Sequence, residues 1–107
     1  MPSVKRSSIS SDFHGRLEPN RAVAGAAVMA GAVDSFRAAN PNTLFVSAGD
    51  LIGATPLISA LFHDEPTIEA FNLMELDYNG VGNHEFDEGV DELLRMQRGG
   101  CHPVDGC

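Results

Sequence analysis

The sequence predicts an α/β domain with a mainly parallel sheet and flanking helices. Three observations predict it. Short apolar runs alternate with helical stretches in the order strand, helix, strand, helices, strand, helix. Such alternation calls for parallel strands joined by right-handed crossovers. Each apolar run also ends in a cluster of polar, ligand-capable residues, and the carboxyl ends of strands form the ligand-facing edge of such sheets. Finally, 107 residues at 43% hydrophobic content suffice for one small packed domain and no more.

The elements follow in order. Residues 4–11, VKRSSISS, make a weak strand in which Val4 and Ile9 are the apolar members. DFHGRLEPN reads as a loop, with Asn20 as N-cap of a helix over residues 21–39. Val23, Ala26, Ala27, Ala30, Val33 and Phe36 fall mostly at helical spacing, and Asn40-Pro41-Asn42 stops the helix. TLFVSAGD is a buried strand ending in Gly49-Asp50. Residues 55–77 read as two helices with a break near residues 64–66. YNGVG supplies a third short strand, and residues 88–99 a short helix closed by Gly99-Gly100.

Charge and composition exclude several functions. Seven basic residues face fifteen acidic ones, a formal charge of −8, so no basic patch exists to track a polymeric nucleic acid. A small phosphorylated substrate remains compatible if bound cations reverse the local field. No run of eighteen apolar residues is present to span a membrane, and MPSVKRSSIS lacks the apolar stretch of a signal peptide. Cys101 and Cys107 do not fix a redox compartment; they pair as a disulfide if the protein is exported and stay thiols in the cytoplasm.

The chemistry concentrates at the three strand ends. Asp12 and His14 are two residues apart, so in an extended segment both side chains reach one cation; a helix-leading loop is the plainer reading. Asp50 follows a buried strand and Gly49, where an unpaired carboxylate is costly. It is either the cap of the next helix or a carboxylate shared between two metals. Asn83 offers a neutral oxygen ligand. His84 suits ligation or proton donation, with Asp87 three residues on to orient it; an Asn-rich turn with a surface histidine is the alternative. Taken together, these residues suit a two-metal phosphoesterase, with divalent ions about 3.5–4 Å apart. Mixed Asp, Asn and His donors fit Zn, Mn, Fe or Mg.

DFHGRLEP, VSAGDLIGATP and GVGNHEFDEG, in this order, resemble the first three motifs of the calcineurin-like metallophosphoesterases. NHEFD and the tail GGCHPVDGC resemble the bacterial 5′-nucleotidase and 2′,3′-cyclic-nucleotide phosphodiesterase branch. The likeness covers residues 12–107. It implies the first part of a four-layer αββα sandwich, and hydrolysis of a small-molecule nucleotide with two divalent ions. It further implies Asp12 and His14 on the first metal, Asp50 bridging, Asn83 on the second, and a catalytic dyad of His84 and Asp87.

The same resemblance marks departures. Relatives add a later His and a Gly-His-x-His motif as further ligands, and a C-terminal nucleoside-binding domain. Residues 1–107 are therefore expected to form the N-terminal portion of a catalytic domain, as from a truncated or frame-altered reading of a longer gene. His63 and His102 are not expected to be ligands. Relatives open with a strongly apolar central strand where this chain has SVKRSSISS. Two further expectations follow: a catalytically weak or inactive chain with at most weak metal binding, and an uncovered apolar face that promotes aggregation. An unrelated α/β binding module is the remaining alternative, which three ordered motifs disfavour.

Overall fold

The computed structural model describes residues 6–10, for their backbone path, and residues 12–100. The strands are β1 (Arg6–Ser10), β2 (Thr43–Ser47) and β3 (Tyr78–Asn79). The helices are α1 (Gly25–Ala39), α2 (Leu57–Ala60), α3 (Glu65–Leu73) and α4 (Val90–Gln97), with a 3-10 turn at His84–Phe86. All strand pairing is parallel, in the order β1-β2-β3. The α/β class, the parallel sheet and the flanking helices are those expected.

Three expectations need correction. The central strand among the described residues is β2, not the polar N-terminal strand: β1 has one partner, registered from Arg6 on Thr43 to Ser10 on Ser47. An edge tolerates the polar run RSSIS better than a centre does. Second, β2 is buried on one face only. Thr43, Phe45 and Ser47 point inward while Leu44 stays exposed. Third, α1 starts at Gly25 rather than after Asn20. Asn20 and Val23 instead exchange backbone hydrogen bonds of 2.8 and 2.5 Å across a tight turn. This turn folds the loop back on the helix start, where Ala26 N–H donates to Leu17 O. A Cβ on Gly25, at φ +81, would stand 2.8 Å from Pro19 N, so glycine is needed where loop and helix meet.

The core is aromatic at its centre. Phe71 of α3 meets Phe13 edge-on at 4.9 Å between ring centroids and stacks on Phe45 of β2 at 6.0 Å. Val33 of α1, Leu51, Ile52, Met74 and Met96 complete it, with Ala26, Met29 and Ala30 packed alongside. Residues 26, 29, 30 and 33 lie on one helical stripe, so the small residues of α1 let it approach closely. Ala27 and Phe36, expected on that stripe, are exposed.

β3 is two residues long, but its surroundings extend the pairing. Asp77 N–H donates to Phe45 O and Gly80 N–H to Ser47 O, while the Asp77 carboxylate accepts from Phe45 N–H at 2.8 Å. The break between α2 and α3 spans residues 61–64, slightly before the expected position, and Pro66 sits in the first turn of α3, where its missing N–H is harmless. Buried Ser59 donates to Asp64 Oδ1 at 2.8 Å and shares a 2.7 Å bond with buried Thr67. Arg95 of α4 ties its helix to this break through His63 O at 2.7 Å and to the start of α3 through Glu65, and it pairs with Glu92 on its own helix. α4 ends at Gly99-Gly100 as expected, with both glycines at positive φ and Gly100 N–H on Arg95 O.

Apolar exposure is considerable. Leu57, Leu61 and Phe62 around α2 and Leu73 at the end of α3 are all more than half exposed. No described helix is long and apolar enough to cross a membrane. Cys101, His102 and Cys107 lie outside the described residues.

Candidate metal centre and its dyad

The loops that follow β1, β2 and β3 meet at one edge of the sheet. The first two run side by side, zipped by backbone hydrogen bonds. Asp12 N–H donates to Gly49 O (3.2 Å), His14 N–H to Asp50 O (3.0 Å) and Gly15 N–H to Leu51 O (2.9 Å). The second and third loops touch backbone to backbone. A Cβ on Gly49 would stand 2.4 Å from Gly82 N, and one on Gly82 would stand 2.2 Å from Asp50 Oδ1. Two glycines thus let the loops close to a distance no side chain allows.

The closure groups Asp12, His14 and Asp50, whose candidate ligand atoms all lie within 4.8 Å of one another. His14 Nδ1 is 2.8 Å from Gly53 O. A carbonyl only accepts, so Nδ1 carries the proton and Nε2 of the neutral ring keeps its lone pair. That lone pair faces Asp12, with Nε2 3.9 Å from Oδ1. Two carboxylates and one oriented imidazole nitrogen are a donor set that fits a divalent cation such as Zn, Mn, Fe or Mg.

All three residues have positive φ: Asp12 at 51°, His14 at 47° and Asp50 at 53°. Left-handed backbone at non-glycine residues persists only where the surroundings enforce it, and it collects at functional sites. Here the enforcing contacts are the zipped loops.

Asn83 and His84 stand on the third loop. Asn83 caps the 3-10 turn and is exposed. His84 N–H donates to Asp50 Oδ1 at 3.0 Å, which brings the turn against the cluster. The His84 ring packs edge-to-face on the His14 ring with centroids 4.9 Å apart. Its Nδ1 lies 2.7 Å from Asp87 Oδ2. That hydrogen bond, and the charges of Asp87, Asp50 and Glu85, hold the His84 pKa above its usual 6.5. Gly53 makes room here too, since a Cβ on it would stand 2.7 Å from His84 Cβ. His63, not expected to be a ligand, is half-buried just beyond α2.

Sequence reasoning passed over Glu85. This carboxylate is buried and accepts three backbone N–H bonds: from Asp50 at 2.9 Å, Leu51 at 2.8 Å and Gly82 at 2.6 Å. The signal that could have found it is an acid inside a short glycine-flanked turn, where tightly packed loops leave backbone N–H groups for a carboxylate to accept. Glu85 also separates two cavities. One of about 260 Å³ lies beside the dyad, lined by Thr55, His63, Asp64, His84 and Asp87. The other, about 450 Å³, is apolar and lies between α3 and α4, away from the charged cluster, so cavity size does not mark the site.

No family model matches the chain. An uncharacterised protein of Acinetobacter calcoaceticus is 48% identical over 107 residues, covering 84% of this chain and 52% of that protein. Bovine 5′-nucleotidase is 32% identical over 94 residues, covering 78% of this chain and 16% of the enzyme. Among solved structures, Haemophilus influenzae NAD nucleotidase superposes with a TM-score of 0.74 at 27% identity, over 84% of this chain and 18% of that one. The calcineurin-like phosphoesterase YfkN of Bacillus subtilis gives 0.69 at 29% identity, over 85% and 33%. The chain thus spans about half the length of the first of these relatives and a smaller share of the others. In sequence and fold the chain is therefore similar to the calcineurin-like phosphoesterases, a metal-dependent class. The bovine relative shows that this likeness extends to 5′-nucleotidases.

Proposed function

We propose that this chain forms the N-terminal portion of a catalytic domain that hydrolyses phosphoesters of nucleotides at a two-metal site. The observation that carries the reading is the convergence of Asp12, His14 and Asp50 beside a His84–Asp87 pair. In this reading Asp12 and His14 hold a first divalent ion, Asp50 serves both ions, and Asn83 supplies an oxygen to the second. Bound ions at such a site supply a Lewis acid and a water of lowered pKa.

The chain's own residues account for the rest. Gly53 O keeps His14 in the tautomer that leaves Nε2 free. Asp87 holds the His84 ring through Nδ1 and favours its protonated form, leaving Nε2–H to donate to a phosphoryl oxygen or to the departing ribose oxygen. The acidic surface repels a phosphate until cations are bound, so metal loading is a precondition for substrate.

A second reading rests on donor count. Asp50 and Asn83 are the two donors assigned to the second ion, and two protein donors hold an ion weakly. In that reading the chain alone binds metal weakly and turns over little. One experiment separates the two: phosphate release from a nucleoside monophosphate with added Mn²⁺ or Zn²⁺, with metal binding followed by calorimetry. Binding together with release that His84→Ala removes supports the enzyme. Binding without release supports the second reading, and absence of both overturns the two together.

A further inference from the structure

We infer that Glu85 is a positioning residue for the metal centre: its buried carboxylate clips the loop after β2 to the loop after β3 and so fixes where Asp50 presents its oxygens. The inference rests on the metal reading above, and it concerns a residue that touches neither ion nor substrate.

The geometry is specific. Oε2 accepts from the N–H groups of both Asp50 and Gly82, at 2.9 and 2.6 Å, and Oε1 accepts from Leu51 N–H at 2.8 Å. One carboxylate therefore ties together two segments more than thirty residues apart in the chain. It is only 3% exposed. Hydrogen bonds to an ionised acceptor are about twice as strong as neutral ones, and in a buried site no water replaces them when they are lost.

What the clip holds is the neighbourhood of Asp50. Asp50 sits at φ 53° and needs enforcement from outside. Its N–H is taken by Glu85, its C=O by His14 N–H and its Oδ1 by His84 N–H. Gly82, on the far side of the clip, comes so near that a Cβ would stand 2.2 Å from Asp50 Oδ1. Were the clip released, the third loop would be free to swing away, taking with it the His84 N–H that orients the Asp50 carboxylate. Groups that orient ligands from behind typically change metal affinity 10- to 100-fold when removed.

The test uses the full chain and two readouts. Glu85→Gln puts an amide NH₂ against at least one backbone N–H and removes the charge. Glu85→Asp keeps the charge but draws it back by one methylene. In the metal-free protein, amide exchange at Asp50, Leu51 and Gly82 is expected to speed up about 10-fold or more in Glu85→Gln, with β2 and α3 amides unchanged. The Mn²⁺ Kd, measured by calorimetry, is expected to rise about 10- to 100-fold, with Glu85→Asp in between. Glu85→Asp keeps an ionised acceptor in the buried site and so keeps the inference testable if Glu85→Gln does not fold: its loop amides and its Mn²⁺ Kd are expected to change together, by less than in Glu85→Gln. Faster loop amides with an unchanged Kd overturn the inference. So does weakened binding matched by equal loss of protection throughout β2 and α3, the mark of a residue needed for stability alone. A native chain that takes up no Mn²⁺ overturns the metal reading itself, and with it this inference. That failure is separate from the others because it is seen before any substitution is made.

Discussion

The two sides of the candidate centre are built differently. Asp12, His14 and Asp50 sit on loops zipped by three backbone hydrogen bonds, and each is held in left-handed backbone. His84 opens a 3-10 turn and Asp87 follows it, and their partly exposed side chains are joined by one hydrogen bond. The ligand residues are held in place by main chain, whereas the two dyad side chains, on a turn that Glu85 anchors, are oriented mainly by each other. The contrast follows from what each has to do. Three anionic or lone-pair groups within 4.8 Å of one another repel when no cation is present, so the backbone must hold them there. An imidazole and a carboxylate attract, and need no such scaffold.

Breaking the scaffold should therefore cost most. Gly49 stands at φ +110, and a Cβ there would meet Gly82 N at 2.4 Å. Gly49→Ala adds both backbone strain and a main-chain clash. A loss of about 3 kcal/mol is expected, from strain of about 1–3 kcal/mol and overpacking of similar size. Such a loss lowers Tm by roughly 10 °C or more in a domain of this size. Thermal unfolding followed by circular dichroism checks it, and an unchanged Tm would show that the loops part without consequence.

Removing a ligand while keeping the scaffold should leave the fold and lose the metal. Asp50→Asn preserves shape, and the Asn carbonyl oxygen still accepts from His84 N–H in place of Asp50 Oδ1. It removes the negative charge that Asp50 contributes to the candidate ligand cluster. The Mn²⁺ Kd is expected to rise about 100-fold, at the upper end of what orienting groups alone achieve, with Tm of the metal-free protein unchanged or higher as repulsion falls. Calorimetry and thermal unfolding on one preparation measure both. A large fall in Tm would instead make Asp50 a structural cap.

How much of this was legible in the sequence depends on how local each feature is. The candidate ligands could be read because each stands beside a glycine or at a strand end, and the α/β alternation because it is written in consecutive segments. Strand order is a long-range property. Nothing in RSSIS says that it pairs on one side only among the described strands, and so the expected centre of the sheet was misplaced. The start of α1 was misjudged because Asn20 has good capping chemistry, while its engagement with Val23 depends on a tight turn with Arg21 at positive φ. Glu85 was missed for a related reason. It stands among acids that are exposed or half-exposed, and its burial depends on two loops that meet only in the folded chain.

The smallest effect belongs to the dyad, and it sharpens the contrast. Asp87 raises the His84 pKa above 6.5 by accepting its Nδ1–H and by its charge. The sign is that of a group stabilised in its protonated form. The pairing contributes to stability below pH 6.5, and that contribution is lost as pH rises through the higher folded value. Asp87→Asn removes the charge and leaves a neutral acceptor, so the His84 pKa is expected to fall toward its ordinary value. Asp50 and Glu85 continue to raise it by their charges. Proton NMR titration of the His84 ring in the metal-free protein measures the change, with Tm expected to shift little because the pair is exposed. If the pKa does not move, the ring is set by His14 and the loop backbone, and the dyad side is as firmly scaffolded as the ligand side.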